Sequence, residues 1–103
     1  MSIEILVRGR NVPIDDDVGA AARTKAAKLE RFAHDIHHIE IDFSEVRNPR
    51  VANCQICELT IHLKHGALKA HAAATRPAAA LDLVLDKAQH QLSRLKDKRV
   101  AHG

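Results

Sequence analysis

Four stretches of this chain switch between apolar and polar side chains at every residue, the pattern of a strand with one buried and one wet face. In the first, Ile3, Ile5 and Val7 alternate with Ser2, Glu4 and Arg8, Leu6 is the exception, and Gly9 ends the run. In the second, Ile39, Ile41 and Phe43 alternate with His38, Glu40, Asp42 and Ser44. In the third, Cys57, Leu59, Ile61 and Leu63 alternate with Glu58, Thr60, His62 and Lys64. The fourth sets Leu68, Ala70, Ala72 and Ala74 against Lys69, His71 and Thr75. Arg47-Asn48-Pro49-Arg50 reads as a loop, and Gly66 as a tight turn that makes a hairpin of the last two strands.

Two stretches have the other period. Val18, Ala22, Ala26, Leu29 and Ala33 recur at helical spacing behind Pro13 and the acidic run Asp15–Asp17, which places a helix near 15–33 with negative charge at the positive end of its dipole. Pro77 suits a first helical turn, and Leu81, Leu85, Ala88, Leu92 and Leu95 follow as an apolar stripe, which places a second helix near 77–97. The order is β-α-β-β-β-α. Each strand has a single apolar face, so both helices are expected on one face of a four-stranded sheet, an α+β domain over residues 1–103 with a basic tail from about 96. Leu81, Leu85, Leu92 and Leu95 are expected to be buried against Leu59 and Ile61. The first two strands fit a right-handed crossover if they are parallel, and the second sheet face stays open to solvent.

Composition restricts how such a domain binds anything. Phe32 and Phe43 are the only aromatic rings, with no Trp and no Tyr. Stacking bases on aromatic platforms, the usual grip on single-stranded nucleic acid, is therefore nearly closed to it. The net charge is only +3, but residues 87–99 hold five bases (Lys87, Arg94, Lys96, Lys98, Arg99) against one acid, Asp97, a local excess above that of the whole chain. A one-sided positive field suits a polyanion. No apolar run reaches the roughly 20 residues that cross a bilayer. The N-terminus carries Glu4 early and lacks the order of an export signal, so a cytoplasmic location with reduced thiols is expected.

On a wheel of about 100° per residue centred on Leu81, Lys87, Arg94 and Lys98 fall together at about −100° to −140°, with His90 near 180°. Asp82, Asp86, Ser93 and Asp97 fall on the other flank. On the first helix Lys25, Lys28 and Arg31 are spaced by three and form an oblique row, with Lys25 close to the apolar stripe and its ammonium snorkelling outward. Charged helix surfaces are usually just solvated. Two basic rows on helices that share one sheet face, with acids segregated from one of them, favour instead a joint patch for phosphates, which give affinity and register but little sequence reading.

Several short motifs point to one family. Val7-Arg8-Gly9-Arg10-Asn11-Val12, Lys28-Leu29-Glu30-Arg31-Phe32, Ala79-Ala80-Leu81-Asp82, Asp86-Lys87 and Gln91-Leu92 through Lys98 resemble, in matching order, motifs of the ribosome hibernation promoting factor family, also called ribosome-associated inhibitors. The chain resembles the N-terminal ribosome-binding domain of its long-form actinobacterial members. The resemblance implies a fold akin to double-stranded-RNA-binding domains. It implies a bacterial translation inhibitor of stress and stationary phase that sits on the small ribosomal subunit, in the channel of mRNA and tRNA anticodon ends. It also implies that Lys25, Lys28, Arg31, Lys87, His90, Arg94 and Lys98 face ribosomal RNA. His90 stands where the family usually has Arg, which makes that contact weaker or pH-dependent. Arg76-Pro77-Ala78 replaces an acidic or polar residue followed by an aromatic ring. Long members carry a further domain that pairs ribosomes; pairing is expected here only if such a domain lies beyond Gly103.

Other chemistry has little to stand on. Cys54 and Cys57 are three apart, so on a strand their thiols point to opposite faces, and no second CxxC completes a zinc site. Among the eight His, His37 and His38 diverge on a strand, while His62 and His71 are cross-strand neighbours if the hairpin register allows, with no carboxylate at an obvious ligand spacing. No nucleophile has a catalytic context. The expectation is a non-enzymatic protein without metal, cofactor, membrane or small-molecule substrate. The competing reading is a protein-interaction module using the open sheet face.

Overall fold

In the computed structural model, which describes residues 3–47, 50 and 54–102, the elements follow the predicted order. They are β1 (Glu4–Gly9), α1 (Asp16–Ala27), a 3₁₀ turn (Lys28–Arg31), β2 (Ile36–Glu45), β3 (Gln55–Leu63), β4 (Gly66–Ala74) and α2 (Pro77–His102). The side chains of α2 are described as far as Leu95. The sheet runs β1-β2-β3-β4, with β1 parallel to β2 and the other pairs antiparallel. The inward residues of the strands face the same layer: Ile39, Ile41, Phe43, Cys57, Leu59, Ile61, Ala70, Ala72 and Ala74 of β2, β3 and β4 are buried with Ala22, Ala26 and Leu29 of the first helical segment, and Ile5 and Val7 of β1 are half-buried against them. α1 lies over β1, and α2 over β3 and β4.

The segment read as one helix over 15–33 is two pieces. Asp15 precedes α1 in extended conformation and its carbonyl accepts the Gly19 N–H at 2.9 Å. From Lys28 the coil tightens to three residues per turn, Leu29 is buried, and Lys28 and Arg31 eclipse each other on the outside. α2 begins as the Pro77 signal predicts, with Arg76 outside and its carbonyl accepting the Ala80 N–H at 3.1 Å. It does not stop near 97: the backbone stays helical to His102, since residues 96–102 contain no Gly or Pro to end it.

The buried stripe of α2 is also rotated from the expected one. Ala80, Leu81, Val84, Ala88 and Leu92 are buried, while Leu85 and Leu95 are only half-buried. The cause lies in β4, whose buried inward residues are Ala70, Ala72 and Ala74, with the larger Leu68 only half-buried near its start. A strand of small side chains lets the helix sit close and roll toward it. Ala80 and Val84 then enter the core, and Leu85 lifts away from it.

The Val7–Val12 motif works as a clamp between β1 and β2. Asp42, only 7% exposed, receives Arg8 through two bonds (Nε to Oδ1 at 2.9 Å, Nη2 to Oδ2 at 3.3 Å), and Arg10 Nη2 stands 3.6 Å from the same carboxylate. Such a fork is the strongest form of side-chain ion pair. The Asn11 amide continues the ladder past the strand end, donating to the Glu45 carbonyl at 2.9 Å and accepting the Glu45 N–H at 2.8 Å. Gly9 is required there, because a Cβ would stand 2.2 Å from the Val12 carbonyl oxygen.

The hairpin expected at Gly66 forms, and its register separates His62 from His71. Lys64 and His65 make the turn between β3 and β4, and Gly66 opens β4 with φ 155°, which L side chains rarely adopt. His62 pairs with Ala67 on one side and His38 on the other, whereas His71 pairs with Glu58. Asn48 and Pro49 of the predicted loop lie outside the described residues.

Both cysteines are free thiols: Cys54 half-buried just ahead of β3, Cys57 buried within it. Burial, reinforced by Asp42 and Glu58, pushes the Cys57 thiol from 9.0 up to about 12. In the native protein an alkylating reagent at mild pH is expected to label Cys54 and spare Cys57; mass spectrometry before and after denaturation reads the difference. Equal native labelling would put Cys57 at the surface. Because the folded state holds this proton more tightly, its contribution to stability is complete below pH 9 and declines as pH rises toward 12.

Candidate nucleic-acid interface

The basic residues of the helical layer divide according to what lies beside them. On α1, Lys25 is exposed and its ammonium donates to Asp82 Oδ1 of α2 at 2.6 Å. The flank of α2 that carries Asp82 therefore faces α1. The opposite flank faces β4, where Lys87 Nζ donates to the His71 carbonyl at 2.8 Å and Gln91 Nε2 to the Lys69 carbonyl at 3.1 Å. Arg94, seven residues beyond Lys87, continues that flank. The acidic flank of α2 thus stands between the row of α1 and the row of α2, an arrangement invisible until the strand order is known.

Lys28 and Arg31 project from the 3₁₀ turn, and His90 and Arg94 from the outer surface of α2; all four are exposed. Among the described residues none of the four has a carboxylate partner. Lys98 belongs to the helical backbone of α2, but its side chain lies outside the described residues. Arg31 also rims a surface hollow of about 340 Å³, together with His34 and His65, over a floor of Phe32, Leu92 and Leu95. This hollow joins the end of the 3₁₀ turn to the later part of α2 through Leu92 and Leu95.

The contrast with the sheet is instructive. Arg8 and Arg10 are committed to Asp42, whereas among the described residues Lys28, Arg31 and Arg94 have no acid to satisfy them. Lys25 is the exception, and a phosphate there must compete with Asp82. Gln91 escapes a reading based on charge alone, yet it shares the Lys87 flank and points to the same strand; its place next to the basic row on the wheel was the available signal.

Comparison with known proteins fits this architecture. The family model described as "Sigma 54 modulation protein / S30EA ribosomal protein" matches residues 5–100. A "Ribosome hibernation promotion factor" of Mycobacterium tuberculosis is 34% identical over 100 residues, covering 96% of this chain and 46% of the relative. A "Ribosome hibernation promoting factor" of Salmonella typhimurium is 30% identical over 100 residues, covering 97% of this chain and 100% of the relative. The chain therefore spans about half the length of the mycobacterial protein and all of the Salmonella one. A solved ribosomal subunit interface protein from Coxiella burnetii has the same fold, with a TM-score of 0.78 at 22% identity over 92% of this chain and 99% of that one. The Thermus thermophilus Protein Y N-terminal domain superposes with a TM-score of 0.73 at 23% identity over the same shares.

Proposed function

Because the chain belongs to the Sigma 54 modulation protein / S30EA ribosomal protein family, we propose that it is a ribosome-binding hibernation factor that occupies the mRNA and tRNA channel of the small subunit. Lys25, Lys28, Arg31, Lys87, His90, Arg94 and Lys98 contact ribosomal RNA in this reading. Inhibition needs no chemistry, since a domain lodged in the path of mRNA and tRNA excludes both.

The observation that carries the RNA reading is the unpaired state of the helical-layer cations. Lys28, Arg31 and Arg94 are exposed with no acid partner among the described residues, while the arginines of the sheet are neutralised. Cations left to solvent release counterions when they meet phosphate, and that release drives such binding. Lys25 contributes less than its neighbours, because Asp82 already holds it. The two names that give the mycobacterial and Salmonella relatives a hibernation role support the same reading.

The test is co-sedimentation with purified small subunits across a series of salt concentrations, paired with cell-free translation. Binding is expected to fall steeply with salt, and each basic contact removed to flatten the log–log slope by a little under about one unit. A salt-independent association would move the contact to the open sheet face and favour the protein-interaction reading.

A further inference from the structure

The face of the sheet opposite the helices holds a cluster that plays no part in the RNA reading. β2 carries one extra residue against β3: Ile36 pairs with Leu63 but His38 with His62, so His37 is a bulge. Bulges re-aim the side chains beside them. Here the bulge sets His38 directly opposite His62, and the two rings stack with centroids 4.1 Å apart and 13° between their planes. Glu40, two residues along β2 and so on the same face, reaches back to both. Its Oε1 lies 3.7 Å from His38 Nε2 and its Oε2 3.4 Å from His62 Nε2.

We propose that His38, Glu40 and His62 form a binding site for a divalent transition-metal ion of the zinc class. Imidazole nitrogen and carboxylate oxygen are the ligand types such ions prefer, bound at about 2.0–2.1 Å. Two tetrahedral ligands at that length stand about 3.4 Å apart, which is the separation of Glu40 Oε2 and His62 Nε2. All three ligand atoms lie within 4.8 Å of one another. Stacked rings do not aim both in-plane nitrogen lone pairs at one point, so binding breaks the stack by turning the rings about their soft terminal torsions. The side chains are about one-third exposed (34% for His38, 28% for Glu40, 36% for His62), so the ion can enter and water can fill the fourth position. Glu4 pairs with His38 from β1 on the same face and adds negative potential. The ion would bridge β2 and β3 on the far side of the sheet from the helices, independently of ribosome binding.

The experiment titrates the full chain with Zn²⁺ alone by calorimetry, with Co²⁺ absorption reporting the ligand geometry. One ion per chain is expected. His38→Ala, His62→Ala and Glu40→Gln are each expected to weaken it on the order of tenfold or more. Glu40→Gln keeps the shape of the side chain, so it stays informative should an alanine variant lose its fold. His71→Ala, on the same face but two rows away, is expected to bind as the parent does. Parental affinity in Glu40→Gln and His62→Ala overturns the site. So does an equal loss in His71→Ala, which would mean scattered binding by surface histidines.

Discussion

Reversing Lys87 and Arg94 together to glutamate is expected to weaken binding to small ribosomal subunits by about 100-fold or more. A hydrogen bond to a charged group contributes roughly 1.5–3 kcal/mol, so two of them correspond to at least about two powers of ten. Replacing each by a like charge adds repulsion from phosphate. Reversing Asp82 and Asp86 to lysine, on the flank of α2 that faces α1, is expected not to weaken binding, since it removes the carboxylate that competes with phosphate for Lys25. The two variants are therefore expected to move binding in opposite directions. Pelleting at fixed salt and inhibition of cell-free translation should move together. Should the Lys87/Arg94 variant pellet and inhibit like the parent, RNA contacts some other surface.

The largest effect on stability is expected from Phe43→Ala. Phe43 is 1% exposed near the C-terminal end of β2, paired with Gly9 on one side and Cys57 on the other. Truncating a buried Phe costs about 3–5 kcal/mol, because the lost transfer energy is joined by the cavity that remains. A domain of this size holds about 5–15 kcal/mol in total, so the variant is expected near the limit of folding. Only one other aromatic ring, Phe32, exists to fill space. The control is Leu83→Ala on α2, a residue 47% exposed, where the change should stay within about 0.5 kcal/mol. Urea titrations measure both: the midpoint should fall sharply for the first with little change in slope, and hardly at all for the second. Similar losses at the two positions would mean that the packing of α2 differs from the arrangement above.

Periodicity made the elements legible because each strand has one wet face and each helix one apolar stripe. What it did not show was which strand lies under which helix. The wheel centred on Leu81 gave Leu85 and Leu95 the same standing as Leu92. Only the position of α2 over the alanines of β4 explains why Val84 is buried and Leu85 half-buried. The same missing topology hid the pairing of Lys25 with Asp82, since those residues are 57 positions apart and nothing local connects them. It also hid the partner of His62, which is His38 on β2, brought opposite by a one-residue bulge that alternation does not announce. The basic residues themselves were readable as rows on helices; what surrounds them was not.

The bonds from Lys87 and Gln91 to β4 have a consequence for how the molecule behaves in company. β4 is the last strand of its sheet, and its outward carbonyls would otherwise be a template on which another chain could add a strand. The His71 and Lys69 carbonyls are occupied by side chains hanging from the helix above, so two consecutive outward acceptors are closed to a newcomer. Lys87 thus guards an aggregation-prone margin as well as carrying a charge. Exchanging it for glutamate removes a donor as well as reversing a sign, and the resulting protein should be more inclined to self-associate. Arg94→Glu alone, which leaves the guard in place, should disturb RNA binding without that tendency, and light scattering on the two single variants separates the two roles.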